Sequence, residues 1–333
     1  MQAVEITKHG GPGVLKVKER ADPSVRPGWV RIEVGACGVN FADVMARIGV
    51  YPDAPDPPCI VGYEVAGTVI GLGERVEGLA VGDRVLAGTK FGGYASVVSV
   101  PEHDCIVLPE RLSFEQGAAI PVNYATAWAA LVGYGSLQPG ERVLIHSAGG
   151  GVGIAAMQLA RRFGAEEIYG TASPAKHEQL RSLDFDHVLD YKQVSAKGEL
   201  PRFDVILDPI GGHSLRTSYD LLRPGGRLIG FGASAVVSGS KRKLVSALRT
   251  LARMPRFSLV KQMSESKTVI GLNMLTLWKD RETLKPWIEP LRELLDDGTI
   301  EPIVAAAFPF EEAGAAHDML TERRNLGKVV LVP

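Results

Sequence analysis

Residues 142–163 read Arg142-Val-Leu-Ile-His146, then Ser147-Ala-Gly-Gly-Gly-Val-Gly153, then Ile154-Ala-Ala-Met-Gln-Leu-Ala-Arg-Arg-Phe163. An apolar strand, a glycine turn and a helical pattern follow one another in that order. Ala148, Gly150 and Gly153 occupy the positions of a GxGxxG fingerprint, with Ala for the first glycine. The fingerprint carries weight only in this strand–turn–helix context, which is met here. Gly150 lets the backbone approach a pyrophosphate, Gly153 lets the helix pack on the strand, and the helix start offers free N–H groups and the positive end of its dipole. With Gly151 and Val152, the run from Ala148 to Gly153 is the candidate phosphate-binding turn. A glycine-rich packing turn is the alternative reading, and the flanking strand and helix favour the phosphate-binding one.

Working outward, residues 118–272 alternate strand and helix signals. Glu167–Gly170 precedes a helical stretch from Pro174 to Leu183, and His187–Leu189, Phe203–Asp208, Arg227–Gly230 and Val269–Leu272 supply further apolar strands. Such alternation implies an α/β unit with a doubly wound parallel sheet, helices on both faces and right-handed crossovers. Residues 1–117 differ: short β-like runs at Trp29–Val34, Glu64–Ile70, Arg84–Ala87 and Tyr94–Val100 lie between Gly and Pro, with a Gly82-Asp83 corner feeding one of them. Residues 273–333 carry a helix around Trp287–Asp296, a Pro-rich strand, a helix around Glu311–Glu322 and a terminal strand Lys328–Val332. That tail is expected to return to the first, β-rich domain and make it discontinuous.

Composition narrows the function. Among 333 residues, 37 basic and 38 acidic side chains leave a formal charge of −1, which excludes a general electrostatic grip on nucleic acid. No run of 18 apolar residues spans a bilayer, and the opening MQAVEITKHGGPGVLKVKER lacks the basic-then-apolar run of a signal peptide. The three cysteines, Cys37, Cys59 and Cys105, form no CxxC pair, and the seven histidines show no HxxH or HExxH spacing. The expected address is the cytosol.

The choice of nucleotide is read at the end of the second strand. An NAD-selective site places a carboxylate there to hold the ribose 2′-hydroxyl. Here the strand ends Gly170-Thr171-Ala172-Ser173 with no acid, and Lys176 follows. Small donors plus a cation suit a 2′-phosphate, so NADPH is the expected cofactor. Tyr191, after the third strand, adds a ring face or a hydroxyl.

These features together resemble the medium-chain dehydrogenase/reductase superfamily, end to end. The resemblance is carried by Gly38-Val-Asn-Phe-Ala-Asp43, Gly62-Tyr-Glu-Val-Ala-Gly67, Ala80-Val-Gly-Asp-Arg-Val85, Ala148–Gly153, Asp208-Pro-Ile-Gly-Gly212 and Gly327-Lys-Val-Val-Leu331. Within it, the chain is most similar to the zinc-free quinone oxidoreductases and, through NFADVMARIGVY, VNYATAWAAL and GTASPAKHE, to vesicle amine transport protein homologues. The implied fold is a discontinuous GroES-like catalytic domain (1–117 and 273–333) with a Rossmann nucleotide-binding domain (118–272). Cys37 remains where such enzymes carry a first zinc ligand, but Tyr63 stands in place of the His and Asn123 near the third ligand. A catalytic zinc needs three protein ligands, so no metal is expected.

The same resemblance implies the site. Asn40 and Asp43 would sit beside the nicotinamide in a cleft between the domains, and Thr126 would hold its carboxamide. Pro209, Phe231 and Gly232 would join the cofactor-binding set, and Asn325 and Lys328 would reach the pyrophosphate or ribose. Tyr51, in Gly49-Val50-Tyr51-Pro52, matches the tyrosine proposed as proton donor in related enoyl reductases; a ring that only walls the cleft is the other reading. The implied substrate is a quinone or another conjugated carbonyl, with an enoyl thioester or alkenal as the alternative. A homodimer paired through the edge strand Val269–Leu272 is expected. The stretch 241–261, KRKLVSALRTLARMPRFSLVK, has seven basic residues, no acid and apolar positions at helical spacing. It reads as an amphipathic helix, with a cleft lid or a contact to a membrane surface as alternatives.

Overall fold

A computed structural model describes residues 1–195, 198, 200–232, 234 and 254–333. The described residues fall into two compact units, Met1–Ala125 with Leu277–Pro333, and the residues from Thr126 to Thr276. The first begins with strands β1 (Gln2–Ile6), β2 (Leu15–Glu19), β3 (Trp29–Val39) and β4 (Cys59–Ile60). It continues with β5 (Glu64–Leu72), β6 (Arg84–Gly88), β7 (Val97–Pro101) and β8 (Cys105–Val107). The second unit holds β9 (Arg142–His146), β10 (Glu167–Ala172), β11 (His187–Asp190), β12 (Phe203–Asp208), β13 (Leu222–Gly230) and β14 (Thr268–Gly271). The chain then returns to the first unit with β15 (Val304–Pro309) and β16 (Lys328–Val332).

In the second unit all six strands are parallel, in the order β11-β10-β9-β12-β13-β14. Strand order therefore reverses between β9 and β12, the place where an open α/β sheet leaves a crevice at its carboxyl ends. The central strands β9, β10 and β12 are buried on both faces, as β12 shows at every position. Their core includes Leu144, Phe203, Ile206, Tyr219 and Leu228.

The first unit is built on a mixed sheet ordered β15-β16-β3-β5-β6-β8, with β7 also on β3 and every pair antiparallel except β15 with β16, beside a three-stranded sheet β2-β1-β4. β16 pairs antiparallel with β3, setting Val330 opposite Gly38 and Leu331 opposite Cys37. Val4, Ile32, Val65, Val85, Tyr94, Phe310 and Val329 are among its core residues. Gly82, at φ 99°, supplies the turn between β5 and β6.

Several sequence expectations change in detail. The expected strand Tyr94–Val100 begins at Val97, because Tyr94 and Ala95 turn instead to pair with the first strand region through Val4 and Ala3. The helix expected from Pro174 to Leu183 is a 3-10 turn, Pro174–Lys176, followed by Lys-capped His177–Arg181. The helix expected at Trp287–Asp296 is two, Lys285–Ile288 and Leu291–Asp296, because Pro290 has no N–H to continue the first. Most of the basic stretch, 241–253, lies outside the described residues. Among the described residues no helix is long and apolar enough to cross a membrane.

Candidate functional site

The glycine turn of the second unit is shaped by close backbone contacts. β9 ends at His146; Ser147 takes a left-handed φ of 56°, and the helix Gly151–Arg162 starts after an extended Gly150. Ala148 N donates to Thr171 O at 3.0 Å, tying the turn to the end of β10. A Cβ on Gly153 would lie 2.6 Å from Ala148 O and 2.7 Å from Ser147 O, so only glycine fits there. Gly170 is equally constrained, its Cβ position lying 2.7 Å from the Phe185 ring and 2.8 Å from Ala148 Cβ. Gly150, Gly151 and Val152 remain partly accessible at the helix start. This cradle fits a pyrophosphate, with backbone N–H groups aimed at it.

The other sequence-predicted residues of this unit surround the carboxyl ends of the strands. Thr171 is buried, and its hydroxyl lies 3.0 Å from His146 Nδ1, so it serves the interior. Ser173 and Lys176 are half-buried on the turn that follows, and Tyr191 is 42% exposed after β11. After β12, Asp208 Oδ1 accepts Ile210 N at 2.8 Å and Gly211 N at 3.2 Å, holding the loop that carries Pro209. Phe231 N donates to Asp208 O at 3.2 Å, and a Cβ on Gly232 would lie 2.6 Å from Pro209 O. A buried chain connects these loops: His146 Nε2 lies 3.0 Å from Ser218 Oγ, which donates to Asp208 Oδ2 at 2.8 Å. Burial lowers the pKa of His146, opposed by the Asp208 charge. Thr126 is buried on the helix Pro121–Trp128.

The first unit gathers Asn40, Asp43 and Lys328. Lys328 forms a buried ion pair with Glu64, and its Nζ donates to Asn40 Oδ1 at 2.6 Å. The Asn40 amide donates to Glu64 Oε1 at 2.9 Å, and Val122 N donates to Glu64 Oε2 at 2.7 Å. Gly38 admits this carboxylate, since a Cβ there would collide with it. Asp43, fully buried at the start of the helix Phe41–Ile48, accepts Asn40 N at 2.8 Å, Gly62 N at 3.0 Å and the Tyr94 hydroxyl at 3.0 Å. Desolvation raises its pKa to about 7 against those hydrogen bonds and the Lys328 charge. Tyr94 presents its oxygen to His317 Nε2 at 3.1 Å; burial, with Arg47 nearby, depresses His317 to about 3.

Tyr51 is half-buried after that helix, and desolvation, with the Asp53 charge, raises its pKa to about 12. Asn325 is buried and donates to Gly327 O at 2.8 Å, shaping the entry into β16. Sequence reasoning missed Glu64, Tyr94 and His317 as members of one polar network. The available signal was a carboxylate within the apolar run of β5 and a histidine among alanines in the helix Ala313–Thr321.

A catalytic zinc does not fit these residues. Cys37 is fully buried, its Sγ donating to Leu331 O at 3.6 Å, and desolvation raises its pKa well above the usual thiol range. Such a thiol resists becoming the thiolate that binds zinc. Tyr63 stands in the sequence where the histidine ligand would be, and among the described residues no group of three His, Cys, Asp or Glu side chains could hold a metal ion.

Comparisons with known proteins agree with this fold. A family model described as alcohol dehydrogenase GroES-like domain covers residues 26–110, and one described as zinc-binding dehydrogenase covers residues 183–331. The human synaptic vesicle membrane protein VAT-1 homolog is 36% identical over 344 aligned positions, covering 100% of this chain and 86% of that protein. The structure of Escherichia coli quinone oxidoreductase complexed with NADPH superposes with a TM-score of 0.85 at 29% identity, covering 100% of both chains. That of the CurK enoyl reductase gives a TM-score of 0.83 at 26% identity, covering 99% of this chain and 98% of that one.

Proposed function

The chain belongs to the medium-chain dehydrogenase/reductase superfamily, on its quinone oxidoreductase branch among VAT-1-like proteins, and from this premise we propose that it is an NADPH-dependent, zinc-independent reductase of quinones or other conjugated carbonyls. The observation that carries the cofactor reading is the end of β10. Gly170 and Thr171 are buried there, and the half-buried Ser173 and Lys176 follow without a carboxylate. A carboxylate in that place would favour a ribose 2′-hydroxyl and repel a 2′-phosphate, whereas a hydroxyl and an ammonium attract the phosphate.

The residues from Ala148 to Gly153 would hold the pyrophosphate, and Ser173 and Lys176 the 2′-phosphate. Tyr191 would flank the adenine end, while Thr126, Pro209, Phe231 and Gly232 would contact the nicotinamide end. Bound NADPH supplies two electrons as hydride. A quinone or enal suits that chemistry because conjugation spreads the resulting negative charge, so no metal is needed to ionise an alcohol. Asn40 and Lys328, hydrogen-bonded to each other, are the polar groups of the first unit that we assign to such a charge, with Asp43 fixing the backbone of Asn40. The chain's free thiols suit a reducing compartment, and we place it in the cytosol. β14, at the edge of its sheet, is the strand through which two copies would pair as a homodimer.

Titrating the protein with NADPH and NADH tests the cofactor reading. NADPH should bind at least about ten-fold more tightly, and Lys176→Glu should erase that preference through loss of its phosphate contact. Equal affinities in the unaltered protein would overturn it.

One observation favours the reduction of enoyl or alkenal substrates as a second reading. Tyr51 is a half-buried phenol that stays protonated at neutral pH, with its pKa raised to about 12, and so is equipped to donate a proton.

A further inference from the structure

His146 ends β9, directly before the glycine turn, and its ring is buried with three more polar side chains, Thr171, Ser218 and Asp208. Their hydrogens can be placed one by one. Asp208 Oδ1 accepts Ile210 N at 2.8 Å and Gly211 N at 3.2 Å, and Oδ2 accepts the Ser218 hydroxyl at 2.8 Å. A serine hydroxyl has a single hydrogen. With it directed at Asp208, Ser218 Oγ is an acceptor toward His146 Nε2, 3.0 Å away, so that nitrogen carries the ring proton. Burial lowers the pKa of the imidazole and keeps it neutral, which leaves Nδ1 bare to accept the Thr171 hydroxyl at 3.0 Å.

Both ends of this chain hold backbone of the candidate cofactor site. Thr171 lies on β10, just before Ser173, and its carbonyl accepts Ala148 N from the glycine turn at 3.0 Å. Asp208 ends β12 and fixes the loop that carries Pro209, while its carbonyl accepts Phe231 N at 3.2 Å. β9 lies between β10 and β12, so the chain crosses all three strands at their carboxyl ends, where strand order reverses. We propose that His146 is a positioning residue for the cofactor: with its proton on Nε2, it fixes the spacing between the strand end that takes the 2′-phosphate and the loop that takes the nicotinamide.

The inference rests on the NADPH reading of these two loops. The opposite tautomer would set a bare Nε2 against the lone pairs of Ser218 Oγ and leave a buried hydrogen bond unmade. In the chain Thr171–His146–Ser218–Asp208 every hydrogen points the same way, so each donor polarises the next and the whole is stiffer than its separate bonds. It holds both loops at one separation before a nucleotide arrives, and binding then does not have to order them. A ligand that touches only one loop gains nothing from that separation.

The test uses Ser218→Ala and Thr171→Val, each of which removes one hydroxyl of the chain, the second with its β-branched shape kept. NADPH should bind about ten-fold more weakly to either variant, while adenosine 2′,5′-bisphosphate, which fills only the phosphate-side half, stays within about two-fold. Thr171→Ser, which keeps the hydroxyl, should hold NADPH within about two-fold of wild type. Nitrogen-15 labelling of histidine gives a readout without nucleotide. The ring signals lost in His146→Gln identify His146, and their couplings to the carbon-bound ring protons should place the proton on Nε2. In Ser218→Ala part of the population should move to the Nδ1-protonated form. A wild-type ring protonated on Nδ1, undiminished NADPH affinity in both variants, or equal losses for the two nucleotides would overturn the proposal alone. Wild-type protein that binds neither nucleotide overturns the NADPH reading, and the proposal with it.

Discussion

His317 and Asp43 sit at the two ends of one hydrogen-bonded chain through Tyr94, and burial moves them in opposite directions. His317 has its pKa depressed from 6.5 to about 3, by desolvation and then by the Arg47 charge. Between those values the unfolded chain binds a proton that the folded chain refuses. Its contribution to stability is therefore lost as pH falls below 6.5, at up to about 1.4 kcal/mol per pH unit. Asp43 is raised from 3.8 to about 7, chiefly by desolvation, so its contribution is lost as pH rises through that window. The two slopes oppose each other between about pH 4 and 6.5. His317→Gln removes one of them, so the variant's melting temperature relative to wild type should climb as pH falls from 7.5 to 4.5. A difference that does not change with pH would contradict this assignment. None of this was legible from residue types alone. A histidine in an alanine-rich helix has no visible partner until folding brings residues 43, 94 and 317 together.

At the scale of elements, β9, the turn after it and the helix Gly151–Arg162 carry the phosphate cradle. The tightest point is Gly153, where an added Cβ would meet two carbonyl oxygens of the turn rather than a side chain that can swing away. Gly153→Ala should therefore push the helix start off the strand and weaken NADPH binding by about ten-fold or more. Gly11→Ala is the control: its Cβ would meet nothing within 4 Å, its φ is −71°, and affinity should not change. Undiminished NADPH binding by Gly153→Ala would show that the turn does not hold the pyrophosphate. β9, β12 and β16 were readable from sequence with their observed ends, because apolar runs of Val, Ile and Leu stop at turn residues. β2, reading Leu15-Lys-Val-Lys-Glu19, was not, because alternating lysines at a sheet edge imitate a solvated loop. The division of the helical stretch at Pro290 was signalled by the proline itself.

At the scale of the molecule, each unit has its own core, and the second has the strand order of a dinucleotide-binding sheet. The fold class was legible because glycine spacing and strand alternation are local properties of the chain. The polar network of the first unit was legible only in part. Asn40, Asp43 and Lys328 came from family resemblance, whereas Glu64, Tyr94 and His317 needed the antiparallel pairing that folds distant segments over one another. The central claim is a reductase that works from NADPH without zinc. It is tested most directly by following NADPH absorbance with 1,4-benzoquinone after exhaustive dialysis against a zinc chelator, with residual metal measured by elemental analysis. The account predicts quinone-dependent NADPH oxidation at an undiminished rate in protein that contains no zinc. Oxidation that vanishes with the chelator and returns on adding zinc, or no oxidation at all in protein that binds NADPH, would contradict it.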